Sequence, residues 1–217
     1  MKAVTFAEEL ASLLPADLPE RDACVVGAAR HLDLIVEANQ QFNLTRIVSP
    51  REAAIKHVLD SVLPWRLFAA EPHLVDAGSG PGFPGIPLAL VFPGKRFTLV
   101  EATQKKARFV SSVVEALDLK NVEVVPERAE DWLKKVPAAL VTARAVAPLT
   151  RAIPLFAAAI RKGTRFLMYK GPDGAGEVID SLGEAQRARC QARIVMEYEL
   201  PDALGTRTIV ELSDIKR

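Results

Sequence analysis

Val75 to Pro87 reads V-D-A-G-S-G-P-G-F-P-G-I-P, and this stretch decides the fold. An apolar run, Pro72-His73-Leu74-Val75, precedes it, and Leu88-Ala89-Leu90-Val91-Phe92 follows. The order is strand, glycine-rich turn, helix. Glycine has no Cβ and tolerates positive φ, so such a turn lets the backbone approach a ligand closely. The helix behind it offers unpaired N–H groups and a positive dipole end. Pro81, Pro84 and Pro87 stiffen the turn near the helix start, where a missing N–H costs little. A plain tight turn needs fewer special residues than four glycines and three prolines. The expectation is a nucleotide-like cofactor at the carboxyl end of the first strand, which ends at Asp76.

The dinucleotide fingerprint G-x-G-x-x-G fits Gly78 and Gly80, but its third glycine falls on Phe83. The glycines run Gly78, Gly80, Gly82 and Gly85 instead. That spacing resembles motif I of the class I S-adenosylmethionine-dependent methyltransferases. Downstream, Arg96-Phe97-Thr98-Leu99-Val100 reads as a second strand ended by Glu101. An acid there accepts hydrogen bonds from ribose hydroxyls. It does not separate a methyl donor from a nicotinamide; the glycine spacing does.

At 217 residues, 49% hydrophobic and 25% charged, the chain suits one α/β domain with an extension. A net charge of +1 confines any nucleic-acid contact to a local patch. Cys24 and Cys190 have no metal-ligand spacing and read as small buried residues in a reducing compartment. His31, His57 and His73 form no zinc pattern, so no metal is expected. Neither a signal peptide nor an apolar run of about 18 residues is evident, so the expectation is cytoplasmic, without a membrane.

Residues 1–64 read as a helical N-terminal extension. Phe6, Leu10, Leu13 and Leu14 repeat at helical spacing, and a longer helix follows Pro19. Ser49-Pro50 marks another start, with a serine cap, and that helix runs to Pro64. Residues 65–217 alternate strands with helices, which implies a largely parallel sheet. Further strands fall at Val122–Val125, Ala138–Ala143 and Phe166–Tyr169. Pro154 is expected to kink or restart the helix from Leu149, and one helix is expected over about Ala175 to Arg189. Two closing runs, Ile194 to Leu200 and Arg207 to Leu212, read as a hairpin-like pair.

The chain resembles the bacterial small-subunit rRNA guanine-N7 methyltransferase family, RsmG or GidB. Phe42-Asn43-Leu44-Thr45, Lys56 through Ser61, and Asp76 through Pro87 carry the resemblance. So do Phe97 through Phe109, Ala143-Arg144-Ala145 and Lys170-Gly171. It covers the chain from about Leu34 onward. Two positions depart: Val36-Glu37-Ala38 stands where a tryptophan is usual, and Ala143 replaces a common serine. The resemblance implies a Rossmann-like class I methyltransferase sheet, mostly parallel with an antiparallel edge strand. It also implies S-adenosyl-L-methionine as donor and N7 of a guanosine in 16S rRNA, free or in the small ribosomal subunit, as acceptor. Asp76, Gly78, Gly80, Gly82, Phe83, Glu101, Ala102, Thr103, Ala129, Glu130 and Arg144 are then the cofactor positions, with Glu101 on the ribose and Ala129-Glu130 flanking the adenine.

The guanine N7 lone pair is free, so attack needs no general base, only alignment. Neither cysteine sits where a cytosine C5 enzyme keeps its nucleophile. The N/D-P-P-Y/F motif of amine methyltransferases is replaced by A-R-A-V-A-P at 143–148. Arg144 is the catalytic candidate, by positioning: its fork suits a phosphate, a guanine edge or the donor carboxylate. Its plain alternative is a salt bridge to Glu130 or Asp76. Lys105, Lys106 and Arg108 are candidate RNA contacts, with Arg46 and Lys170; Arg51 and Lys56 extend that patch. A solvated helix face is the bland reading of the cluster. His57 and Asp60, three apart on one helix, read as structural pins. A monomer is expected. Two alternatives stay open: a methyltransferase with a small-molecule or protein acceptor, and a non-catalytic ribosome-binding factor.

Overall fold

The computed structural model describes residues 4–40, 44–45, 47 and 49–215. Seven strands form one sheet in the order β3-β2-β1-β4-β5-β7-β6. They are β1 His73–Ala77, β2 Arg96–Val100, β3 Val122–Val125, β4 Leu140–Arg144, β5 Arg165–Lys170, β6 Cys190–Glu199 and β7 Thr206–Asp214. The first five are parallel, and β7 is antiparallel to both β5 and β6. In β1 every residue from Leu74 to Ala77 is buried, as a central parallel strand with helices on both faces requires. The chain leaves β1 toward β2 and β3, then returns to the other side of β1 as β4. The strand order therefore reverses between β1 and β4, which opens a crevice at their carboxyl ends.

Ten helices accompany the sheet among the described residues. Phe6–Leu13 (α1) and Arg21–Asn39 (α2) come first. The next helix is α-helical over Pro50–Ala53 (α3), π-helical over Ala54–Leu59, and α-helical again over Asp60–Val62 (α4). A π segment marks a local insertion and often a functional position. Then come α5 Gly85–Val91, α6 Gln104–Ala116, α7 Ala129–Lys135, α8 Leu149–Arg161, α9 Gly174–Asp180 and α10 Leu182–Ala188.

Four local expectations need correction. Ser49 stands at the start of α3, but its side chain makes no capping bond. Pro154 does not interrupt α8. It removes one backbone bond, while the buried Ile153 and Phe156 on either side hold the helix to the sheet. The single helix expected over 175–189 is split at Ser181, whose hydroxyl donates to the Val178 carbonyl at 3.1 Å and competes with helical pairing. The fourth strand begins at Leu140 rather than Ala138, and the closing hairpin is longer than its apolar runs.

Two apolar clusters fill the two faces of the sheet. One joins Leu10, Leu32, Ile55 and Val58 of the early helices to Leu74, Phe97 and Leu99. The other packs Ile153 and Phe156 against Val75, Val141 and Phe166. The early helices are also tied to the closing hairpin. Arg51 Nε donates to Asp202 at 2.7 Å and its Nη1 to Glu9 at 2.9 Å, and the Tyr198 hydroxyl donates to Asp60 Oδ1 at 2.9 Å. Among the described residues no helix is long and apolar enough to cross a membrane.

Candidate functional site

The glycine turn sits at the carboxyl end of β1. Gly78, Gly80 and Gly82 all have positive φ, at 73°, 59° and 103°. A Cβ on Gly78 would lie 2.9 Å from Val146 Cγ2, so the loop after β4 presses directly on the turn. Asp76 pins the turn from below. Its Oδ2 accepts from Ser79 Oγ at 2.7 Å and from the Gly85 N–H at 2.9 Å. Its Oδ1 is buried without a partner. Burial pushes this carboxyl up to about 6, against the opposing pull of its two hydrogen bonds.

Glu101, just beyond β2, is buried and oriented by backbone. Its Oε2 accepts from the Gly80 N–H at 2.9 Å and its Oε1 from the Thr103 N–H at 2.7 Å. A carboxylate has about four lone-pair sites, so two stay open for hydroxyl donors. Glu101 lines a cavity of about 290 Å³ together with Gly78, Val100, Ala102, Ala129 and Glu130. Five of the sequence-predicted cofactor residues therefore meet around one space: Gly78, Glu101, Ala102, Ala129 and Glu130. Thr103 contributes its backbone, and Gly80 and Gly82 shape the turn.

The Phe83 backbone belongs to the glycine turn, where its N–H donates to the Ser79 carbonyl at 3.0 Å. Its ring is buried and stacks on His31 at 4.6 Å and on His57 at 4.7 Å between centroids. The glycine turn curls back over α5, which carries Phe83 into the helical core. The Arg144 guanidinium carbon lies 5.2 Å from the Phe83 ring centre. Burial, aided at His57 by the nearby Arg144 charge, drives His31 down to about 4 and His57 to about 3. Both imidazoles are neutral near pH 7.

Arg144, at the end of β4, does not pair with Glu130 or Asp76. Its Nη1 lies 3.4 Å from Asp60 Oδ2 and donates to the Lys56 carbonyl at 3.1 Å. It also donates to the His57 carbonyl at 3.4 Å, so two carbonyls of the π segment face it. Ala145, the next residue, is held at φ 55°, which strains a residue with a Cβ. Arg144 lines a second cavity, about 720 Å³, with His57, Asp60, Val146, Ala147 and Arg207. Val146 and Ala147 line both cavities, so the two spaces adjoin at the turn after β4.

The basic candidates separate. Lys105, Lys106 and Arg108 lie on the first turns of α6, with Lys105 and Arg108 exposed. Lys170, expected at the RNA, is 8% exposed; its ammonium lies 2.8 Å from Glu177 and donates to the Ala147 carbonyl at 2.6 Å. Lys56 pairs with Glu52 at 2.7 Å, and Arg51 with Glu9 and Asp202. Arg46, and Phe42-Asn43 of the motif before it, lie outside the described residues.

A family model described as rRNA small subunit methyltransferase G matches residues 27–208. The chain belongs to this family. A ribosomal RNA small subunit methyltransferase G from Solibacter usitatus is 67% identical over 209 residues, covering 96% of this chain and all of the relative. One of the same description from Symbiobacterium thermophilum is 38% identical over 192 residues, covering 83% of this chain and 78% of the relative. Among solved structures, an O-methyltransferase from Bacillus cereus in complex with SAH superposes with TM-score 0.58 at 20% identity, over 85% of this chain and 91% of that one. At that identity the likeness speaks for the fold: a Rossmann-like α/β methyltransferase sheet.

Sequence reasoning missed Tyr198 and Arg207. They reach Asp60 from the closing hairpin, and no local pattern announces a contact between residues so distant in the chain. It also missed the histidine stack on Phe83. The one available signal was that His31 lies on the same helical stripe as Leu32 and Ile35.

Proposed function

We propose that this chain transfers the methyl group of S-adenosyl-L-methionine to N7 of a guanosine in 16S rRNA. One observation carries the reading. A nucleoside-sized cavity beside the glycine turn adjoins a larger, cation-lined cavity across Val146 and Ala147. Donor and acceptor held in the two spaces meet at that shared wall, and alignment supplies most of the acceleration in such a displacement.

The residues present fit the donor. Glu101 keeps open lone pairs for ribose hydroxyls, Ala129 and Glu130 flank the base, and Gly80 opens onto space that no protein atom occupies. The unpartnered Oδ1 of Asp76 adds negative potential beneath a cationic ligand. When bound, the donor supplies an electrophilic methyl on a sulfonium. The protein then needs only to orient the acceptor, because N7 carries its lone pair without losing a proton. The side chains agree: His57 is neutral but buried against Phe83 and bonded to Thr45, and Asp60 is committed to Tyr198 and Arg144.

In this reading residues 1–64 form a helical extension beside the methyltransferase domain of 65–217, and Lys105, Lys106 and Arg108 contact phosphates. The protein acts as a cytoplasmic monomer on 16S rRNA or the small subunit. The test is transfer from labelled donor to naked 16S rRNA, small subunits, bulk tRNA and a protein extract in parallel, followed by strand scission at 7-methylguanosine. Label confined to 16S rRNA or the subunit, with one scission site, is expected. Label on protein or a small molecule moves the acceptor elsewhere. Binding to subunits in the presence of donor, with no transfer, makes the chain a ribosome-binding factor.

A further inference from the structure

Four basic side chains line the larger cavity, and they are not equivalent. Lys56 and Lys170 each have a carboxylate of their own, Glu52 and Glu177. Arg144 and Arg207 share one. Asp60 Oδ2 lies 3.4 Å from Arg144 Nη1, and Asp60 Oδ1 lies 3.5 Å from Arg207 Nε. Tyr198 donates to that same Oδ1, which holds the carboxylate in place. Asp60 is 4% exposed, and the Arg144 and Arg207 side chains are 17% and 19% exposed.

Among the described residues Asp60 is the one carboxylate paired with either guanidinium; Asp76 reaches Arg144 through its field alone, and burial weakens its charge. A surplus positive charge therefore sits in a recess poorly reached by water, a costly arrangement unless an anion is meant to enter. Arg207 Nη1 donates to the Thr206 carbonyl at 3.0 Å. Nη2 of Arg207 and Nη2 of Arg144 have no hydrogen-bond partner among the described residues. Two guanidinium ends, held by one bridge and lining one cavity, make a fork suited to the oxygens of a phosphate.

We propose that Arg207 and Arg144 together grip a backbone phosphate of the acceptor strand next to the methylated nucleotide, with Asp60 as the residue that positions both. The proposal rests on the rRNA reading above and deepens it. Arg207 lies outside every motif that supports the cofactor site, so its loss separates acceptor grip from donor binding.

The test compares wild type with Arg207→Gln and Arg207→Lys. Protein loaded with S-adenosylhomocysteine is titrated calorimetrically with guanosine and with guanosine 5′-monophosphate. Wild type is expected to favour the monophosphate by at least about tenfold, as a charge-assisted bidentate contact would give. Arg207→Gln loses that preference, and Arg207→Lys keeps part of it. S-adenosylhomocysteine affinity stays constant in all three. In turnover on 16S rRNA, Arg207→Gln raises KM about tenfold with little change in kcat, and the salt dependence becomes shallower by about one ion.

Equal affinity for the two probes in wild type overturns the fork. So does loss of S-adenosylhomocysteine binding in step with nucleotide binding, or failure of both variants to fold, which would make Arg207 a stability element. A wild type that methylates no rRNA yet prefers the monophosphate sinks the functional reading and leaves the fork standing. A wild type that methylates rRNA, with Arg207→Gln unchanged, does the reverse.

Discussion

Asp76→Asn isolates the cost of a buried carboxylate beneath the cofactor turn. The Asp76 carboxyl is raised from 3.8 to about 6 because burial disfavours its charge. An acid with a raised value favours folding most when protonated in both states. That advantage is complete below about pH 4 and is lost as pH rises through about 6. The gap of about 2 pH units corresponds to a few kcal/mol in full, of which roughly half falls between pH 5 and pH 8. Asparagine keeps an oxygen to accept from Ser79 and Gly85 and carries no charge. Urea unfolding at pH 5, 6, 7 and 8 without donor gives the stability of both proteins. The variant is expected to gain on wild type as pH rises across that range, by on the order of 1 kcal/mol. Subtraction removes the histidines, which act in the opposite sense. A gap constant within about 0.3 kcal/mol across all four pH values would refute the reasoning.

Gly78→Ala adds a Cβ at φ 73° and 2.9 Å from Val146, so it should cost about 1–2 kcal/mol in urea unfolding and weaken donor binding in calorimetry. A donor affinity equal to wild type would mean that the turn has slack. Glu101→Gln keeps the side-chain shape but loses the charge that two N–H groups and the ribose hydroxyls use; donor Kd should rise about tenfold by calorimetry. His31→Phe keeps the stack on Phe83 and removes an imidazole held down near 4. A depressed histidine stabilises above its ordinary value and loses that support as pH falls, so the variant should lose about 2 kcal/mol less than wild type between pH 7 and pH 5. Arg144→Ala should abolish most turnover while circular dichroism stays native; unchanged turnover would remove its positioning role.

The parallel part of the sheet was legible because fully buried strands read as unbroken apolar runs, and because the glycine turn fixes where the first one ends. The place of Glu101 was legible for the same reason: the smaller cavity is lined from the ends of successive strands, so its residues recur at intervals set by the fold. The acceptor cavity was not legible. Asp60 belongs to an early helix and Arg207 to the last strand, and their meeting depends on how the hairpin lies against β5. At Phe83 only half was legible: its backbone belongs to the turn, while its ring belongs to the core. The Lys170 ion pair was not legible, because a lysine at a strand end reads as exposed until Glu177 of α9 comes into view.

The bridge from Asp60 to Tyr198 and Arg207 also orders events during synthesis. Chains emerge N-terminus first, at about 5–20 residues per second, so Asp60 waits roughly seven to thirty seconds for Arg207. The cofactor turn, with Asp76 and Glu101, has all its parts well before that. A nascent chain can thus complete the donor side while its acceptor side is incomplete. Only the Arg207 side of the larger cavity waits for the last strand, so the proposed two-arginine grip is the final part of the molecule to be built.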